Sequence, residues 1–227
     1  MTERFIRVTG KGKVSARPDT IVLTLELSDL ATEYEKSVEL SATLTQRVRE
    51  CVRAAGLNAD DLKTTDFSVR PEYSTEISTE RQNLLKKKTK TEYVLKGYRF
   101  SHSLKLEFPL DNKKLCAVLS ELARSDTGVE FDFGFTVKDP ELLRVQLLED
   151  AARVSRNNAQ ILASASGAEL GEVIQINYSW DRLDVYSHPV EMERKMCALA
   201  PSGSIDLDVT PDDIDLEEEV TITWALK

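Results

Sequence analysis

The sequence predicts an α+β fold with mostly antiparallel sheets and about three helices packed on one sheet face. Several segments alternate apolar and polar residues with a period of two, which is typical of strands that bury one face. Three longer segments repeat apolar residues every three or four positions, as amphipathic helices do. Three helices are too few to cover both faces of so many strands, so the other face is expected to be wet. The predicted order is β-β-α-β-β-α-β-α-β-β.

The first two strands are predicted at 5–14 and 21–27, where apolar residues alternate on both sides of Pro18. Proline cannot donate a hydrogen bond to a strand ladder, so the chain is expected to bend at this residue. Because only this bend separates the two segments, we expect them to form an antiparallel pair that starts a sheet.

Five more strands are predicted, at 65–73, 93–108, 129–137, 172–180 and 219–226. The segment 74–90 is polar and basic and is expected to form a mobile hairpin tip. Residues 181–211 have no sustained periodicity and are expected to form a long loop. We therefore predict a single domain over 1–227, with mobile segments near 74–90 and 181–211.

The three helices are predicted at 31–55, 112–124 and 139–166. Thr32 and Glu35 have the spacing of a capping box at the start of the first helix. Asp111 and Asp139 precede the second and third helices as N-cap acids. Gly56 is expected to end the first helix in a left-handed conformation.

Charge along the chain is uneven. The net charge is −9, and eight acidic residues lie between Asp206 and Glu219 with no basic residue among them. We interpret this run as solvated charges that protect an edge strand from aggregation, because it lacks the ligand spacing of a calcium loop. No basic face with interleaved aromatic residues occurs, so we expect no nucleic-acid partner.

The compartment is predicted from what the sequence lacks. The N-terminus has no apolar run typical of a signal peptide, and no stretch approaches the roughly 18 apolar residues of a membrane span. Cys51, Cys116 and Cys197 lack the spacing of a disulfide framework or metal site. The first two fall in helical patterns and are expected to be buried, while Cys197 in the predicted loop is a candidate for oxidation. We predict a cytoplasmic protein with no membrane partner; the alternative is a protein whose export leader has been removed from this sequence.

Gly10-Lys11-Gly12-Lys13 resembles a phosphate-binding loop at first sight. Dinucleotide and phosphate loops place their glycines between a strand and a helix. Here the glycines lie inside a predicted strand and no helix follows. We interpret them as a bulge or a close approach of another backbone segment.

The two histidines, His102 and His188, are the other candidates for catalytic residues. His102 lies on an apolar strand face and is expected to be half-buried and hydrogen-bonded; the alternative is an enzyme that combines His102 with Asp or Glu neighbours. His188 lies in the predicted loop. Neither has a metal-ligand partner at a readable spacing, and no nucleophile-elbow motif occurs. We predict no catalytic, cofactor-binding or metal-binding residues, and no cofactor.

Four stretches, in order along nearly the whole chain, resemble the SIMPL-domain family of bacterial periplasmic immunogenic proteins and an animal kinase-binding protein. They are VTGKGKVSARPD at 8–19, DLKTTDFSVRPEY at 61–73, GYRFS at 97–101 and the segment from Ala151 through Val173. The opening stretch is the most specific. The chain departs from most bacterial members by lacking an export signal. The segments 74–90 and 181–211 also differ from the pattern of the family.

The resemblance implies an α+β fold, no established enzymatic activity and no family catalytic residues. Family members are loosely linked to stress defence and to protein interaction or self-assembly. We therefore expect a non-enzymatic, self-associating interaction protein that forms a homo-oligomer. The alternative is a module that binds a small molecule or a partner protein.

Overall fold

A computed structural model describes residues 4–83, 86–125, 127–178 and 209–227, with only the backbone at 76–83 and 86–92. The strands are β1 Phe5–Ala16, β2 Thr20–Ala31, β3 Lys63–Asn83, β4 Lys86–Pro109, β5 Glu130–Thr136, β6 Leu170–Tyr178 and β7 Ile214–Leu226. The helices are α1 Tyr34–Ala54, α2 Asn112–Arg124 and α3 Pro140–Ala165, with a short 3-10 helix at Ala59–Asp61. The predicted α+β class and element order are confirmed.

The chain divides into two compact units, each assembled from segments that are distant in sequence. Unit 1 takes its described residues from 1–20, 134–189 and 210–227, and unit 2 from 21–133 and 190–209. One antiparallel sheet lies mainly in each unit. That the whole chain acts as a single domain stays a prediction.

Unit 1 contains a three-stranded sheet in the order β1-β7-β6, with α3 packed against it. The antiparallel register of β1 and β7 sets Val8 opposite Ile222 and Val14 opposite Leu216. The buried side chains of this core come from both strands and from one stripe of α3; they are Val8, Leu147, Ala151, Ala159, Leu216, Val220, Ile222 and Trp224. The small residues on α3 allow the helix to approach the sheet closely.

The predicted pairing of the first two strands is wrong. β1 pairs with β7, and β2 lies between β4 and β5 in the other sheet. Alternation shows which side chains a strand buries but not which strand it pairs with. The chain between them is held instead by Asp19, whose N–H donates to the carbonyl of Thr136 over 3.1 Å and whose carboxylate accepts the N–H of Lys138 over 2.8 Å.

Unit 2 contains a four-stranded sheet in the order β3-β4-β2-β5. Its buried side chains alternate along three strands; those within unit 2 are Ile21, Leu23, Leu25, Leu27, Phe100, Leu104, Leu106, Phe108 and Phe133. The opposite face is wet, as predicted: there the hydroxyl of Ser101 donates to the carboxylate of Glu26 over 3.2 Å. The buried stripes of α1 and α2 complete the core, with Leu44, Val48, Val52, Leu115, Val118, Leu119 and Leu122.

The helix ends test the predicted caps. Asp111 accepts the N–H groups of the next turn and Asp139 accepts that of Leu142, as predicted. The capping box at Thr32 and Glu35 is wrong: β2 runs to Ala31, the N-cap is Glu33, and no side chain caps this end. Gly56 follows α1 with φ of 75°, as predicted.

Two predicted strands are longer than the sequence indicates. β3 and β4 continue as paired backbone to Asn83 and from Lys86, where the sequence predicts a hairpin tip. Cross-strand pairing sustains strands where side-chain alternation is weak. The predicted loop at 181–211 lies almost entirely outside the described residues.

Candidate functional site

His102 is the best-placed candidate for chemistry, and it is held by hydroxyl groups. Its Nδ1 lies 3.1 Å from both the Ser41 and Thr45 hydroxyls of α1, and its Nε2 lies 2.9 Å from the Thr64 hydroxyl of β3. The Phe67 ring meets the imidazole edge-on, with centroids 5.1 Å apart. The predicted half-buried, hydrogen-bonded histidine is thus confirmed, and hydroxyl groups lie within hydrogen-bond distance of both ring nitrogens.

Burial of His102, together with the nearby positive charge of Arg49, lowers the pKa of the imidazole from its usual 6.5. The ring is therefore neutral at pH 7, with one nitrogen donating and the other accepting. A neutral imidazole between three hydroxyls ties α1 to β3 and β4. This arrangement stabilises the unit.

No group of three or more His, Cys, Asp or Glu among the described residues is arranged to hold a metal ion. Cys51 is buried, as predicted, whereas Cys116 is only half-buried. Burial raises the pKa of the Cys51 thiol, which keeps it protonated. His188 and Cys197 lie outside the described residues.

The glycines of the opening motif are a close-approach site for α3. A Cβ at Gly10 would overlap the carbonyl oxygen of Ala151 and the backbone of Ser155, and one at Gly12 would overlap the carbonyl oxygen of Leu147. The Ser155 hydroxyl donates to the carbonyl of Val8 over 2.8 Å in the same contact. Close backbone approach, one of the two interpretations made from the sequence, is therefore correct.

The lysines of the motif point away from α3 and meet the acidic run. Lys11 and Lys13 both pair with Glu217, and these two hydrogen bonds lower the pKa of that carboxyl to about 2. The same contact raises the pKa of Lys11. The acidic run thus begins the central strand β7, and its predicted role at an edge strand is wrong. Within this run, Glu217 pairs with lysines of β1, the neighbour of β7 in the sheet.

The two sheets have four edge strands among the described residues, and three of them carry features that discourage pairing with another chain. β1 has Arg7, Lys11 and Lys13 along its length. β3 has charged residues, Pro71 and three register shifts against β4, and β5 is only seven residues long. Charges, proline, irregularity and short length are the usual protections of an edge.

β6 is the fourth edge; it shares register shifts with β3 but carries fewer charged residues than β1 or β3. It has one charged residue, Glu172, and exposes Val173, Ile174 and Ile176 to solvent. Register shifts interrupt its first half, while Gln175 onward pairs with β7 residue by residue. The sequence predicted the strand but not its exposure, since alternation does not reveal that a sheet ends there.

A second exposed apolar surface lies on the β3–β4 hairpin. Side chains directly opposite each other on its α1-facing side form a row, Phe67–His102, Val69–Phe100, Pro71–Tyr98, Tyr73–Leu95 and Thr75–Tyr93. α1 covers the row at His102 and begins at Tyr34, whose ring packs edge-on against Tyr98 with centroids 5.9 Å apart. The helix therefore runs away from the outer part of the row.

The outer part of this row, formed by Tyr73, Leu95 and Tyr93, is here named the arm face. All three side chains are exposed, and Tyr93 is 77% accessible. The core-facing side of the hairpin thus continues beyond the helix that covers it. Exposed apolar groups in a contiguous row indicate an interaction surface.

Comparison with known proteins identifies the family. The family model SIMPL, described as a protein of unknown function (DUF541), matches residues 6–224. The chain belongs to the SIMPL family. The resemblance carried by the four sequence stretches is confirmed, and the glycines against α3 give the opening SIMPL motif a physical reason.

Relatives of this SIMPL protein include the 26 kDa periplasmic immunogenic proteins of Brucella melitensis and Brucella abortus. Each is 24% identical over 208 residues, which cover 89% of this chain and 77% of the relative. The uncharacterized protein YggE of Edwardsiella ictaluri is 24% identical over 200 residues, covering 86% and 74% of the two chains.

These relatives contradict the predicted cytoplasmic location, because two of them are named periplasmic proteins. The prediction relied on the missing apolar run at the N-terminus. Export leaders are removed from mature proteins, so that observation does not decide the compartment. None of the helices in the described ranges is long and apolar enough to span a membrane.

Proposed function

We propose that this SIMPL protein acts by self-association and not by catalysis, with the arm face of one copy packed against a second copy. The observation that carries the proposal is the exposed row of Tyr73, Leu95 and Tyr93, which continues the α1-facing side of the hairpin into solvent. A two-stranded ribbon is marginally stable alone in water and gains stability when its apolar face is covered.

A second copy is the occupant that fits this face best. The same patch on two molecules related by a two-fold axis is self-complementary, and two-fold dimers are the commonest protein assemblies. Aromatic side chains such as Tyr73 and Tyr93 supply large contact areas at interfaces. The expected product is a homo-oligomer without a cofactor.

The non-enzymatic part of the proposal is supported by His102. Its ring nitrogens engage Ser41, Thr45 and Thr64, and its pKa is lowered. We expect no nucleic-acid or membrane partner. A role in stress defence follows from the family resemblance alone, and survival of a deletion strain under oxidant or acid challenge tests it.

The solution mass of the purified chain in reducing buffer tests self-association. The expected result is a discrete multiple of 25.5 kDa. A strict monomer at tens of micromolar contradicts the proposal. It would favour the alternative, a module that binds a small molecule or partner protein, which a ligand that raises the melting temperature of a monomer would support.

A further inference from the structure

We propose that the arm face of one copy packs into an apolar groove of the second copy, and that this contact is reciprocal. The groove is formed by Tyr34 and Val38 of α1 and Phe67 of β3, and is here named the α1–β3 groove. This inference rests on the proposed function, because it names the surface of the second copy that the arm face covers. The occupant of the groove is therefore the hairpin of another copy of this chain.

The α1–β3 groove exists because α1 packs mainly on β4 and leaves the edge strand β3 partly uncovered. Phe67 of β3 faces the helix side of the hairpin, yet 44% of its surface is exposed. Tyr34 and Val38 of α1 are 54% and 38% exposed. Apolar side chains of a helix and of a neighbouring strand thus line one continuous depression in unit 2.

The direction of the α1 side chains places Tyr34 and Val38 beside β3. Arg49 of the same helix donates to the carbonyl of Ala59, just before β3, over 2.7 Å. Tyr34, Val38 and Arg49 lie within about 60° of one another around the helix axis, because each residue advances by about 100°. The flank of α1 that carries them therefore adjoins β3.

The size of the arm face also favours a contact that includes the groove. An aromatic side chain buries about 150–250 Å² when fully covered, so the arm face at its observed exposure offers on the order of 350 Å² per copy. A stable interface buries roughly 800 Å² per partner. The α1–β3 groove adds on the order of 250 Å², and a polar rim supplies the rest. Two arm faces packed only on each other bury too little.

The row of β3 side chains makes the contact reciprocal. Phe67, Val69, Pro71 and Tyr73 recur every two residues on the α1-facing side. A two-fold axis near Pro71 reverses this row, so Tyr73 of each copy lies beside Val69 of the other. Tyr93, in the next cross-strand pair outward, then lies beside Phe67 of the other copy. Every contact is made twice, and the expected product is a dimer.

The same axis selects the residue of α1 that the second copy meets. Val38 lies on α1 between Tyr34 and Ser41, which contact the two ends of the inner row. Val38 is therefore level with Val69, and the two-fold axis brings Leu95 of the second copy to that level. Leu95 and Val38 are the predicted contact pair.

Light scattering on wild type, Val38→Lys and Thr43→Lys tests the groove. Val38→Lys places a charge in the apolar contact and is expected to reduce the solution mass at least twofold. Thr43→Lys is the matched control, because Thr43 is exposed on the same helix about 140° around the axis from Val38.

Three outcomes are distinguishable. An oligomeric wild type whose mass falls only in Val38→Lys supports the inference. An oligomeric wild type whose mass is unchanged by Val38→Lys, or falls equally in Thr43→Lys, overturns the α1–β3 groove and leaves the proposed function standing. A monomeric wild type overturns both.

Cross-linking tests the same pair without a charge that affects folding. Leu95→Cys and Val38→Cys are prepared separately in a Cys116→Ser, Cys197→Ser background, mixed, and treated with a short bis-maleimide reagent. The expected product is a dimer with one copy of each variant, absent when Thr43→Cys replaces Val38→Cys. Coupling of Leu95→Cys mainly to itself would place arm face against arm face, which overturns the groove and leaves the proposed function standing.

Discussion

Ser155 on α3 donates its hydroxyl to the backbone carbonyl of Val8 on β1 across 2.8 Å in the core of unit 1. The bond is possible because Gly10 follows two residues later and leaves no side chain between strand and helix. The opening motif therefore allows β1 and α3 to pack closely, with its glycines toward α3 and its lysines toward solvent.

Gly10→Ala is expected to destabilise the chain by about 1–3 kcal/mol, because its methyl group overlaps the backbone of α3 and forces the helix away. Urea unfolding measures the loss. Ser15→Ala in the same strand, where the side chain is exposed, is the control and should change the free energy of unfolding little. Equal effects of the two substitutions would contradict the close-approach account.

The Glu217 contact predicts a loss of stability in acid. The folded-state pKa of about 2 is below the usual 4.5, so this contribution is present above pH 4.5 and is lost as pH falls toward 2. Glu217→Gln should remove that part of the pH dependence, and Asp215→Asn, an exposed acid in the same strand, should keep it. Unfolding curves between pH 6 and pH 2 compare the three proteins, and a Glu217→Gln profile parallel to wild type would count against the paired lysines.

His102 predicts a second pH effect in a different window. Because its folded-state pKa lies below the usual 6.5, the unfolded chain binds its proton first. The stability present above pH 6.5 is therefore lost as pH falls from 6.5 through the folded-state pKa. His102→Gln should flatten the melting temperature over this range. An NMR titration midpoint for His102 at or above 6.5 would refute the burial argument.

The arm face predicts a sharp difference between two neighbouring substitutions. Leu95→Lys places a charge on the arm face, while Val94→Lys places it on the opposite side of the hairpin, beside Ser74. Both side chains are exposed to a similar extent, so the free energy of unfolding should change little in either. Leu95→Lys is expected to reduce the solution mass at least twofold, and Val94→Lys to leave it unchanged. A solution mass that is reduced by Val94→Lys and unchanged by Leu95→Lys would place the contact on the other face of the hairpin.

Local signals in the sequence predicted local structure well. Alternation located each strand in the described residues, although β3 and β4 are longer than predicted, and the cap at Asp111 marked the start of α2. The pairing of β1 with β7 was missed, because alternation does not show which strand pairs with which and the two strands lie at opposite ends of the sequence. Pairing between segments so far apart in sequence produces no periodic pattern of apolar residues.

The candidate surfaces were predictable only in part. Apolar alternation at Ile174 and Ile176 looks the same whether a helix or solvent covers the strand, so the exposure of β6 emerged only from the sheet order. In the same way, the sequence does not show whether Tyr93 on the hairpin is covered by a helix or exposed to solvent. His102 was predicted correctly, because a lone histidine on an apolar face has few ways to satisfy its nitrogens.

The most direct test of the central claim is the mass of the unmodified chain in solution, measured by light scattering in reducing buffer over a range of concentrations. Self-association through the arm face predicts a discrete multiple of 25.5 kDa that persists at tens of micromolar. A mass of one chain at every concentration would contradict the claim.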